Sequence, residues 1–220
     1  MIAIREAAGT YLTLGGEMVI TRNSESNLNE MIDLAIIKLD NLTTDSLLEG
    51  GYNFYPMDEI DPDKKYSGEE FLHIYGYPFT KTKVNTQKKT IEYAPFNYIT
   101  EAKNVRVEGY DIRLHIFPSY QRKKMTRKGI KGNFKGPSPQ GMSGSGIWYC
   151  TNLFEDTGKL NFILAGIITE YIGERSLFVG VRVNAITEIM RTRFSEKLPA
   201  SKLMTFLDYQ WSYDFKSSDC

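Results

Sequence analysis

The sequence predicts an all-β protein closed by one late helix, and three observations carry that reading. Short β-rich runs recur along the chain with turn residues between them, a spacing that favours a barrel or sandwich. Fourteen tyrosines and twelve phenylalanines add to the β leaning, because rings pack well on a pleated, half-buried surface. Only the segment NAITEIMRTRF has helical spacing: Ile186, Ile189, Met190 and Phe194 share one face, and Asn184 stands where a capping side chain is wanted.

In chain order the strand candidates are GTYLTL from Gly9, EMVITR from Glu17, DLAIIKL from Asp33, FLHIYGY from Phe71 and NVRVEGYDIRLHIF from Asn104. GIWYC from Gly146, NFILAGIITEY from Asn161 and SLFVGVRV from Ser176 follow. Between Leu47 and Glu70 the composition turns acidic and turn-prone, with Asp58, Glu59, Asp61, Pro62 and Asp63 close together. This predicts a linker over 48–70, separating a segment 1–47 from a larger unit 71–194, with 195–220 as a C-terminal extension. From Ile112 to Phe154 there is no acid, while Arg122, Lys123, Lys124, Arg127, Lys128, Lys131 and Lys135 crowd one stretch. The simplest reading is a solvated hairpin and loop; the functional alternative is a surface that attracts acidic substrates or a polyanion.

With 220 residues, 41% of them hydrophobic, the chain can fill a real core. Lys plus Arg equals Asp plus Glu at 27 each, so no global field favours a nucleic-acid or anionic-membrane partner. An all-β nucleic-acid module using the 122–135 stretch with Tyr120 and Phe134 is the weakest of the readings considered. Two cysteines, Cys150 and Cys220, suit a reducing compartment better than a disulfide-stapled domain, and a cytoplasmic protein is expected. The start lacks a basic segment followed by an apolar stretch, and no window approaches ~18 consecutive apolar residues. No membrane partner is expected.

The string with the most chemistry in it is Gly141-Met142-Ser143-Gly144-Ser145-Gly146, followed at once by the apolar run IWYC. A serine flanked by glycines ahead of a strand can sit on a tight turn with its hydroxyl exposed and backbone N–H groups aimed outward. The N–H groups of Gly141 and Ser143 would then form an oxyanion hole, and glycine at 141 lets the backbone approach a scissile carbonyl with no Cβ in the way. A flexible turn between strands is the plain alternative. Upstream, Asp33 stands at the mouth of the apolar strand LAIIKL, and the order acid-then-serine is that of chymotrypsin-like enzymes.

DLAIIKL resembles the strand that carries the triad aspartate in trypsin-like serine proteases, and GMSGSG resembles their nucleophile loop, with Ser145 as in bacterial trypsin-like and glutamyl-endopeptidase-like relatives. HIYGYPFTK resembles the first strand and turn of the second barrel. The match covers roughly Gly9 to Phe194 in the expected order. The resemblance implies a double β-barrel with a C-terminal helix, Ser143 as nucleophile and Asp33 as the triad acid. It puts Ile168, Thr169 and Glu170 beside the substrate, Gly180 at the open position of a pocket wall, and no cofactor or metal in the site. Its partner would be a protein or peptide substrate.

The pattern has one large gap, since the family places its catalytic histidine upstream of the aspartate and the residues before Asp33 contain none. His73 and His115 are the only histidines, both in strand-like runs where a structural role is expected. The segment before the linker also offers about three strands where the resemblance asks six of a barrel. An incomplete first barrel is therefore expected. Either the domain begins upstream of Met1, with the histidine there, or the chain is an inactive relative that binds peptide by strand addition at LAGIITEY. An incomplete barrel exposes a sheet edge that another segment, domain or partner must cover. Met142 stands where many relatives carry an aspartate that pairs with a newly cut N-terminus, so activation by cleavage is not expected. Gly136-Pro137-Ser138-Pro139-Gln140 has no acid for a basic substrate side chain.

Overall fold

The computed structural model describes residues 3–5, 11–21, 32–56, 60, 71–85, 90–127, 129–150, 161–201 and 209–215. In the N-terminal part, β1 (Ala3–Arg5) pairs with β2 (Tyr11–Thr13), and β3 (Gly16–Thr21) pairs antiparallel with β4 (Ala35–Leu39). A helix the sequence did not announce, α1 (Asn41–Glu49), follows directly. It starts because the Asp40 carboxylate accepts the Thr43 N–H at 2.8 Å, and it ends at Gly50. Its apolar signal is only the one-turn pair Thr43 and Leu47, both buried, which is too thin a stripe to read from the sequence. The helix runs through the boundary expected at residue 48. Of the acidic linker, Asp58, Glu59 and 61–70 lie outside the described residues.

The larger unit contributes β5 (Phe71–Gly76), the hairpin β6 (Thr82–Asn85) and β7 (Thr90–Tyr93), β8 (Phe96–Glu101), and β9 (His115–Ile116). A second hairpin, β10 (Met125–Arg127) with β11 (Ile130–Phe134), precedes β12 (Gly146–Cys150), β13 (Phe162–Ile172) and β14 (Leu177–Arg182). The chain closes with α2 (Val183–Arg193) and β15 (Tyr209–Phe215). Six of these strands form one antiparallel sheet in the order β8-β5-β12-β13-β14-β9. Alternation drives it: Leu72 and Ile74 of β5, Ile147 and Tyr149 of β12, and Ile168 and Phe178 of β13 and β14 all point into one core with Tyr120 and Met142. Each such side chain, removed from water, contributes about 1.5–3 kcal/mol.

The ladders leave this sheet open rather than a closed barrel. Among the described residues, its edge strands meet at one bridge, Ala102 to Pro118, where Ser119 N–H donates to the Glu101 carbonyl (3.0 Å) and Lys103 N–H to the Phe117 carbonyl (2.8 Å). Most of the run NVRVEGYDIRLHIF is not a strand. Val107 packs with Phe117, Leu177 and Val179 while the backbone turns at Gly109, so alternation there records burial of a loop. Only His115–Ile116 joins the sheet.

Among the described residues the N-terminal part forms no six-stranded barrel: its main sheet has three strands, ordered β15-β3-β4. The edge of β3 that an incomplete barrel would expose is covered by β15, supplied by the C-terminal extension of the same chain. This sheet packs on α2, with Val19, Ile32 and Leu34 meeting Ala185, Ile186, Ile189 and Val181 in a second buried cluster. The α2 helix has the expected face but not the expected cap. Arg182 is the N-cap residue but its side chain does not cap the helix, its Nε donating instead to the Ile112 carbonyl at 3.0 Å, and Asn184 lies inside the first turn, where its Nδ2 donates to the Arg113 carbonyl at 3.2 Å.

Candidate functional site

The loop before β12 is shaped by tertiary bonds on both flanks. Tyr120, almost wholly buried, donates its hydroxyl to the Pro137 carbonyl (2.8 Å); burial pushes that phenol's pKa up to about 12, against the opposing pull of the Arg122 charge. Arg122 Nε donates to the Gly136 carbonyl, and the Gly136 N–H returns a bond to the Arg122 carbonyl, each at 2.8 Å. On the other flank the Phe79 N–H donates to the Gln140 carbonyl (2.8 Å) and the Ser138 N–H to Thr80 Oγ1 (3.3 Å). Met142 plugs into the core at 2% exposure, beside Leu72, Ile74 and Ile147. Met142 is thus an apolar anchor for the loop.

Peptide geometry then orients two N–H groups. A trans peptide points its C=O and N–H to opposite sides. The Gln140 carbonyl is held by Phe79, so the Gly141 N–H of the same peptide points away from Phe79; the Met142 carbonyl is held by the Ser145 N–H at 3.0 Å, so the Ser143 N–H points away from it. Among the described residues neither N–H donates to a protein group. Gly141 has φ +86°, and a Cβ there would stand 2.8 Å from Phe79 N and 3.2 Å from the Tyr77 carbonyl oxygen, so only glycine fits.

Ser143 is exposed, and its Oγ donates to the Thr169 carbonyl at 2.9 Å. Thr169 offers that carbonyl because it sits where the β13–β14 register shifts between Ile168 and Glu170, a bulge that re-aims the strand. Ile168 braces the loop and also lines a cavity beside it. Its side chain is in the core, its N–H donates to the Ser145 carbonyl (2.8 Å), and its carbonyl accepts from the Gly144 N–H (2.7 Å). This cavity, of about 350 Å³, opens between Ser138–Gly141, Ser143 and Ile168–Tyr171, so the predicted Ile168, Thr169 and Glu170 all line it, with buried Phe178 behind. Gly180 does not line it. A Cβ at Gly180 would stand 2.2 Å from Ile147 Cδ1 and 3.2 Å from Ile116 Cγ2, so its glycine is required by core packing, not by an open pocket wall.

Asp33 is exposed between buried Ile32 and Leu34. Thr21 clamps the backbone on both sides of it: Oγ1 donates to the Ile32 carbonyl (2.7 Å) and accepts the Leu34 N–H (3.0 Å). Burial, and then the negative charge of Asp33, hold the Glu170 carboxyl above its usual range. The two histidines are elsewhere. His73, on β5, stacks on Phe162 at 4.9 Å, and half-burial lowers its pKa. His115 is fully buried, with Nδ1 3.0 Å from the Asp111 carbonyl oxygen and its ring edge-on to Tyr110. Neither lines the Ser143 cavity.

Thr21, Phe79, Thr80, Tyr120 and Arg122 shape this site from segments far apart in the chain, and nothing in their local sequence shows that they meet here. Three aromatics of the HIYGYPFTK segment, Tyr75, Tyr77 and Phe79, are exposed beside the loop. Among the described residues no group of three His, Cys, Asp or Glu side chains is placed to hold a metal ion, and no helix is long and apolar enough to cross a membrane. No protein-family model matches the chain, and no curated protein matches its sequence.

Proposed function

We propose that this chain is a trypsin-like serine peptidase domain whose Ser143 cleft engages a peptide carbonyl, and that these 220 residues bind peptide without hydrolysing it. The observation that carries the second clause is the hydrogen bond of Ser143: its proton rests on the Thr169 carbonyl, a group that cannot act as general base. The family reading draws support from six antiparallel strands, the count the resemblance asks of one barrel, with the serine loop ahead of β12 and the closing helix after β14. The two unbonded N–H groups of Gly141 and Ser143 support a carbonyl-binding role.

A second reading is the endopeptidase itself, with an imidazole supplied from outside these residues. The Glu170 carboxyl in the Ser143 cavity, within reach of the Asp33 charge, favours it, since negative charge near an imidazole stabilises the imidazolium. Fluorogenic peptides with and without added imidazole separate the two. The chain alone should hydrolyse little and be indifferent to Ser143→Ala, because a triad lacking a member retains only about 10³–10⁴-fold catalysis over water. Imidazole-stimulated cleavage that disappears with Ser143→Ala selects the second reading. Fast cleavage by the chain alone that His73→Ala or His115→Ala abolishes overturns both.

A further inference from the structure

A larger groove lies away from Ser143, where the seam beside β8 opens. Its volume is about 860 Å³, and it runs along Phe96–Glu101 between Lys81 and the β10–β11 hairpin. The backbone explains it. Ser119 donates to the Glu101 carbonyl, so the backbone groups of Glu101 face away from β5. Along an antiparallel strand the groups facing one edge recur every second residue, which turns the N–H and C=O of Ile99 and Asn97 to the same side. Among the described residues no strand meets them there. Past Ser119 the chain curls off, with the Tyr120 N–H donating to the Ser176 carbonyl (2.7 Å) and the Arg122 N–H to the Tyr120 carbonyl (3.0 Å). Among the described residues, none bonds the backbone of Asn97 or Ile99.

We infer that this open seam is a binding site for an extended acidic peptide, which adds a strand to β8 beside Asn97 and Ile99. Unpaired edge groups are a template for such a strand, supplying affinity through main-chain bonds and specificity through alternate side chains. Charge selects the occupant. Lys81 and Lys124 stand in the groove and exposed Lys123 beside it, while the groove's one carboxylate, Glu101, is already bonded to Lys103. No acidic residue occurs from Ile112 to Phe154, so nothing in that stretch opposes an incoming carboxylate. Half-buried Phe96, Met125 and Phe134 offer apolar contact to the residues between the acids. The site is independent of Ser143.

The probe is a fluorescent heptapeptide alternating valine with aspartate, titrated into the full chain by anisotropy and mapped by amide chemical shifts. Binding should perturb Asn97, Ile99 and Lys124, weaken by about ten-fold in the exposed-surface double variant Lys81→Glu/Lys124→Glu, and fall at least as far for the lysine–valine isomer. N-methylation of alternate residues tests strand addition without altering the protein: one methylated register should lose binding and the other keep it. The inference is overturned by absence of binding, by equal binding of the basic isomer, or by equal binding of both methylated registers. Shifts centred on Gly141, Ser143 and Glu170, or tighter binding of a single-stranded oligonucleotide of equal charge, overturn it as well.

Discussion

Replacing Met142 by alanine tests whether the serine loop is held by the hydrophobic core. The side chain is 2% exposed and packs with Leu72, Ile74 and Ile147 beneath the turn that presents Ser143. Its tip also stands beside the space that glycine leaves at position 76, which Ser145 fills, a Cβ there lying 2.8 Å from Ser145 Cβ and 2.9 Å from Met142 Cε. Truncating a buried methionine to alanine costs about 2–5 kcal/mol, from lost transfer energy and the cavity left behind. At about 2–4 °C per kcal/mol for a chain of this size, a central cost of ~3 kcal/mol lowers Tm by about 6–12 °C. Met142→Leu keeps the volume and should cost less than ~1.5 kcal/mol. Met142→Asp should be worse than alanine at neutral pH, because it buries a carboxyl among aliphatic side chains. Its folded-state pKa would be raised, so the variant regains stability as pH falls toward 4 and loses it as pH rises. Thermal melts of the three variants across pH make the comparison. An alanine variant melting within about 2 °C of the parent, or an aspartate variant as stable as the leucine variant at neutral pH, would refute the anchoring role.

Gly141→Ala should cost about 1–2 kcal/mol from the left-handed backbone alone, with the Phe79 contact adding to it, and should weaken peptide binding at the Ser143 cleft; urea titration and peptide titration read the two effects separately. Glu170 has a raised folded-state pKa, so the folded chain holds its proton more tightly than the unfolded chain, and its contribution is lost as pH rises through the carboxylate range; Glu170→Gln should therefore gain stability relative to the parent near pH 7 and little at pH 4, seen in paired melts. Ending the chain before Tyr209 removes β15 and leaves the β3 edge unpaired, and light scattering should report concentration-dependent association that the full chain lacks.

The elements that a local pattern specifies were legible. GIWYC, FILAGIITEY and LFVGVR are strands because apolar, β-branched residues in short runs suit no other half-buried backbone, and the Ile186–Ile189–Phe194 face of α2 follows from a period near 3.6 residues. The Ser143 turn was legible for a similar reason: a serine between glycines ahead of a strand has few other conformations to serve. Partner choice was not legible. Nothing in YQWSYDF says that it pairs with GEMVIT across nearly the whole chain, and nothing in Thr21 says that its hydroxyl will brace Asp33. Val105 and Val107 alternate like a strand yet line a loop, because burial sets that pattern and sheet membership needs a neighbour. Gly180 and Met142 likewise took their roles from what lies opposite them, Ile147 and Ile116 in one case and the serine turn in the other. A periodicity belongs to consecutive residues, whereas a contact depends on which distant segment wins the free energy of burial, and only the folded chain decides that.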